Sequence, residues 1–201
     1  MALLARRWMG KFKPRWRRAL DMVLYPSPAW RRVAMEREGV AALFRAHVLP
    51  LSLLAPLASM FGMALIARQE MAGVPLLSGG EVLRAGMTTA LFSALMPFPM
   101  ALIIRLLAPL FSLRGDFAAA FRVAAYSLTP LWLAGVLLLA PSLVTAAAAA
   151  LLHFLYLMTR GLEIVLGAET ETSAEYTALV SMGISVFLMP VGWLAAYAGL
   201  M

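Results

Sequence analysis

The chain has no cysteine, so disulfides, thiolate metal ligands and cysteine nucleophiles are excluded together. Charge is scarce, at 13% of residues against about a quarter in an ordinary soluble domain. Histidine occurs twice, His47 and His153, on separate expected helices. No HExxH, GxSxG or phosphate-binding glycine loop is present. The carboxylates fall mainly in flanks and loops, so no acidic pair of the kind used in proton-coupled transport lies deep in an apolar run. Fourteen methionines have no Cys/His cluster beside them and read as adaptable packing, not as a metal path. The chain is therefore expected to be non-enzymatic, with no metal and no cofactor.

Apolar sequence takes the place of all this. Hydrophobic residues make up 63% of the chain and mean hydropathy is +0.85. They fall in long uncharged runs, unlike the short alternations of a soluble core. Twenty-odd helical residues at 1.5 Å each cross a hydrocarbon core of about 30 Å. Cut at flanking charges, divided at Pro141 within the uncharged stretch 123–159, and continued past Arg105 and Arg160, the sequence predicts an all-α polytopic membrane bundle with five spans, at about 46–67, 85–111, 120–140, 143–166 and 176–200. Pro97 and Pro99 predict a bend in the second, and Ala140-Pro141-Ser142 a tight turn between the third and fourth. The pairs Ala55/Ser59, Ala58/Gly62 and Ala195/Gly199 offer small surfaces for close helix packing, within one bundle or in a homo-oligomer.

Positive charge is concentrated at the start. Residues 1–45 hold eleven Arg/Lys against three acids, a net +8, while the remainder holds six against seven. A basic block beside the first span is what the positive-inside rule expects, and it favours an anionic lipid surface over nucleic acid as partner. Arg6, Arg7, Lys11, Lys13, Arg15, Arg17 and Arg18 are the candidate contacts with anionic headgroups. Trp8, Phe12 and Trp16 are interleaved with them at intervals of four, as in membrane-surface anchors. A disordered basic arm interrupted by Pro14 is the alternative. Ser27, Pro28, Trp30, Val33, Ala34 and Ala41 read as an amphipathic interfacial helix lying on the cytoplasmic surface. Residues 1–45 thus form a cytoplasmic arm with its interfacial helix, and 46–201 the membrane domain. An odd number of spans puts the two termini on opposite sides, and the charge asymmetry puts the N-terminus in the cytoplasm.

The most informative local stretch is Tyr126-Ser127-Leu128-Thr129-Pro130. Pro130 has no N–H for the Tyr126 carbonyl, which leaves a kink with a polar focus in a low-dielectric medium. Tyr126, Ser127, Thr129 and Pro130 are candidates for an intramembrane site, joined by His153 and Tyr156 on one face of the fourth span. A kink whose hydroxyls bond back to their own helix is the alternative.

These strings resemble the bacterial branch of the YIP-domain membrane proteins, the family of Ypt/Rab-interacting proteins. The resemblance runs from about residue 22 to 200. It is carried by Pro26-Ser27-Pro28-Ala29-Trp30, Pro50-Leu51, Ala108-Pro109-Leu110-Phe111, residues 125–135 (AYSLTPLWLAG), Pro141, and Tyr156 with Gly161-Leu162. Where the family often has a Gly-Gly pair after Ala-Pro-x-Phe, this chain has Ser112-Leu113-Arg114-Gly115. The resemblance implies a five-span fold with a cytoplasmic N-terminus and no established activity. The cytosolic motif through which eukaryotic relatives act in membrane trafficking is not evident, so GTPase binding does not carry over. Two functions follow. One is an organising bundle that binds a lipid or protein partner; the other is a small transporter, channel or lipid-handling protein with a polar midplane site.

Overall fold

The computed structural model describes the backbone of residues 15–67, 70–71, 74–75, 78–139 and 144–197, with side chains over 17–63, 78–137 and 149–193. Five helices are long and apolar enough to cross a membrane: Val40–Met63, Gly79–Phe111, Phe117–Leu137, Ala149–Leu166 and Thr170–Trp193. The chain is a multi-pass membrane protein of helical-bundle architecture. Three of these helices begin well before the sequence-based cuts, at Val40, Gly79 and Thr170, and in the first two the end charges are accommodated. Arg45 lies inside the first and donates to the Ala41 carbonyl at 3.2 Å. The second is opened by a reciprocal Ser78/Glu81 capping box, which satisfies two orphan N-terminal donors. A two-residue ladder, Glu70–Met71 with Val74–Pro75, lies between the first and second spans. The expected Pro141 turn and the Ala195/Gly199 pair lie outside the described residues and side chains.

The third span is the axis, with two thirds of its apolar window buried against 22–28% for the others. Its Ala119 to Ser127 stretch is almost wholly enclosed. Alanines there let neighbours approach, and Phe121 meets Phe98 of the second span at a ring distance of 4.9 Å. Gly135 is required for the same reason, since a Cβ at that position would come within 2.6 Å of Ala55 Cα on the first span. The bend expected at Pro97 is an interruption at Met96 between Gly79–Leu95 and Pro97–Leu107.

Two short helices precede the first span, α1 (Arg15–Leu24) and α2 (Pro26–Met35). Arg32 bonds Asp21 at 2.9 Å and Arg18 bonds Glu36 at 2.9 Å. Two such ties in opposite sequence order make α1 and α2 an antiparallel hairpin with its tip at Tyr25. Its inner face, Ala19, Met22, Ala29, Trp30 and Val33, is buried in the main core. The amphipathic stripe expected to rest on lipid is thus spent on protein at Trp30 and Val33. Trp30 docks where Gly161 leaves space, for a Cβ there would lie 2.8 Å from the indole.

Candidate functional site

The first and third spans are broken at the same level. In the first, Leu49 N–H reaches back five residues to the Phe44 carbonyl, giving a widened turn over Phe44–Val48. Pro50 follows and donates nothing to the Ala46 carbonyl. Widened turns of this kind insert a residue and re-aim side chains; here the turn carries His47, which is only 4% exposed. In the third span, Pro130 forces a turn at Leu128, whose carbonyl accepts from Leu131 and Trp132 at 3.1 and 3.2 Å.

The two breaks meet through side chains. His47 Nε2 lies 3.0 Å from Thr129 Oγ1, a buried hydrogen bond whose donor depends on the imidazole tautomer. The imidazole also packs at 4.4 Å on the Tyr126 ring and at 6.3 Å on Trp132. Tyr126 in turn meets Trp30 edge-on at 6.1 Å, a favoured aromatic geometry.

The hairpin roofs this cluster. Arg18 reaches towards the Tyr126 hydroxyl while tied to Glu36, with Glu38 at 4.0 Å. Partial burial pushes the Arg18 pKa down, but Glu36, Tyr126 and Glu38 together push it further up, so it lies above the ordinary arginine value. The guanidinium therefore stays charged. Between Arg18, Glu38, Leu43, Ala46, His47 and Tyr126 runs a narrow cleft, with room for about one water molecule.

Of the residues singled out in the sequence, Tyr126 and Thr129 are brought to one centre. Ser127 is fully buried, and its hydroxyl has no hydrogen-bond partner among the described residues. Pro130 is buried beside it. His153 and Tyr156 form a ring contact of 5.9 Å with each other, and Tyr156 is 46% exposed, turned outward. Arg6, Arg7, Lys11, Lys13 and the Arg15 side chain lie outside the described residues. Arg17 is exposed, while Arg18 turns onto the protein's own carboxylates.

Sequence reasoning missed His47, Arg18 and Glu38 as parts of the centre. It also missed a polar seam between the fourth and fifth spans. There Thr159 Oγ1 lies 3.0 Å from Thr177 Oγ1, and Ser173 donates to Glu163 at 2.8 Å. Glu163 also pairs with Arg160. A signal for the seam existed: Ser173, Thr177, Ser181 and Ser185 recur every four residues along one helix face.

The family model described as the Yip1 domain matches residues 20–198, nearly the whole chain. The chain belongs to the Yip1-domain family. The match begins within α1, so the hairpin roof is part of the Yip1 domain together with the spans it covers. Comparison with curated proteins and with solved structures returns no match. Membership of the Yip1 family agrees with an apolar multi-helix architecture and assigns no specific role.

Proposed function

We propose that this Yip1-domain protein is a non-enzymatic organising bundle that binds a lipid or protein partner at its N-terminal face and conducts nothing through its core. One observation carries the reading. Tyr126, Ser127 and Thr129 are 2%, 0% and 0% exposed, and the cleft above them is roofed by the hairpin. A transport path needs solvated polar groups, and these are sealed. The basic residues Arg6, Arg7, Lys11, Lys13, Arg15 and Arg17 would grip anionic headgroups, each worth about 1 kcal/mol near such a surface. The charge asymmetry supports a cytoplasmic N-terminus with the C-terminus on the opposite face, and the resemblance to the bacterial branch of the family supports a bacterial inner membrane with that face periplasmic. It also supports residues 1–45 as the basic arm and interfacial segment ahead of a membrane domain over 46–201.

A transporter or lipid-handling role is the second reading, favoured by the facing breaks of the first and third spans at His47 and Thr129. Broken helices paired near the midplane are how many transporters hold a substrate. In that reading Tyr126, Thr129, His153 and Tyr156 line the path.

Single-cysteine scanning through residues 122–160 separates the two, with no native cysteine to remove. Protection of positions 126, 127 and 129 from a membrane-impermeant thiol reagent, with labelling in the loops, is the expected result. Labelling at those three positions in folded protein would give the transporter reading the lead.

A further inference from the structure

The hairpin buries one face and leaves another open. Leu24 and Tyr25 at its tip are each 63% exposed, Met35 is 76% and Leu20 39%. Among these apolar groups stand Arg31 and Arg37, exposed and with no carboxylate partner among the described residues. The three acids of this region point elsewhere: Asp21 is taken by Arg32, and Glu36 and Glu38 by Arg18. The outer face is therefore apolar and cationic at once.

Its depth follows from its neighbours. Trp30 packs against Gly161, next to Arg160, and against Tyr126, one helical turn from Arg122. Arg45, Arg122 and Arg160 lie on three different spans near this level, as arginines do at the boundary between hydrocarbon and headgroups. The two hairpin helices are not at equal depth. α1 runs beside Phe44–Val48 at that arginine level and beside Thr129–Ala134 on its far side, whereas α2 meets the fourth span at that level through Trp30 and Gly161 and continues along Leu162–Leu166 on the near side. From Met35 only a short link leads into the first span at Val40, so the hairpin cannot leave the bilayer surface.

We infer that the outer face of the α1–α2 hairpin is a lipid-binding edge, seated sideways in the anionic headgroup zone of one leaflet. The α1 edge, with Leu20 and Leu24, dips among the upper acyl chains. Arg31 and Arg37 lie level with the lipid phosphates. The occupant is the protein's own bilayer: an apolar edge flanked by unpaired cations matches an anionic interface, and the tether holds it there. This rests on the proposed contact of the N-terminal face with anionic lipid and extends it to the hairpin, and it does not depend on whether the core conducts.

The test places a nitroxide at Leu20→Cys, Leu24→Cys, Arg31→Cys and Met35→Cys, one at a time, in full-length protein in nanodiscs of phosphatidylcholine with or without phosphatidylglycerol. These positions are at the surface, so the bundle should tolerate the labels, and comparison with unlabelled protein by thermal unfolding verifies it. Collisions with oxygen should exceed those with a water-soluble nickel chelate at 20 and 24, with the balance shifting towards nickel at 35 and further at 31. In a separate readout, Arg31→Gln with Arg37→Gln should lower the enrichment of phosphatidylglycerol over phosphatidylcholine in co-purified lipid, by roughly fivefold per arginine. Nickel dominating at 20 and 24 in folded protein would overturn the proposal and make this face a water-facing docking surface for a soluble partner. Unchanged lipid enrichment in the double variant would equally overturn the assignment of the two arginines.

Discussion

The His47 imidazole and the Thr129 hydroxyl, 82 positions apart in sequence, share a buried hydrogen bond of 3.0 Å that ties the broken first span to the broken third. Each side chain satisfies the other, and both are buried. Removing one partner leaves a buried polar group orphaned, whereas removing both does not.

Thr129→Val and His47→Leu are each expected to destabilise the bundle by about 1–3 kcal/mol, and the double variant by less than their sum. Denaturant unfolding in bicelles measures the cycle. Strict additivity would mean that the two groups do not interact.

Ser127 provides the control. It is as buried as Thr129, but its hydroxyl has no partner among the described residues. Ser127→Ala removes an unsatisfied group and is expected to be neutral or mildly stabilising, within about 0.5 kcal/mol. A large loss in the same unfolding assay would show that this hydroxyl holds something essential.

The turn after the second span carries two opposite expectations. Ser112 has φ +56°, in the left-handed region, where a side chain costs roughly 1 kcal/mol or more. Ser112→Gly should raise the unfolding midpoint. Three residues on, a Cβ at Gly115 would sit 2.8 Å from the Arg105 carbonyl oxygen, which is backbone and cannot step aside. Gly115→Ala should lower the midpoint; equal effects from both changes would contradict the described turn.

Between the fourth and fifth spans, Thr159 and Thr177 also donate to the Leu155 and Ser173 carbonyls of their own helices, both at 2.9 Å. Two hydroxyl protons cannot serve three bonds at once. The Thr159/Thr177 pair therefore couples weakly. A double-mutant cycle with valine is expected to give well under about 1 kcal/mol; a coupling of several times that would indicate a bound water or a proton network at the seam.

Much of the fold was legible because its causes are local. Long apolar segments of the length of a bilayer form helices in lipid, and five such segments appear both in the sequence and in the structure. The interruptions of the second and third spans were legible for the same reason: a proline lacks its N–H wherever it stands. Helix ends were less so. A segmentation that stops at the first charge overlooks the capping of Gly79–Leu95 by Ser78 and Glu81 and the back-bonding of Arg45.

Part of the candidate centre was legible as well. Tyr126 and Thr129 stood out through Pro130, because the proline marks its own surroundings. Nothing near His47 announces that a widened turn will aim it at Thr129. Nor does anything near Arg18 show that it will fold back onto Glu36 instead of facing lipid. These are choices between partners far apart in the chain, and they depend on which helices lie side by side. The sequence by itself determined that this protein lives in a membrane, with helices interrupted next to Pro97 and Pro130. Tertiary structure alone decided that the Trp30 face of the amphipathic segment is spent on Gly161 and Tyr126, since an apolar stripe is equally content against protein or lipid until the packing supplies a groove that fits it.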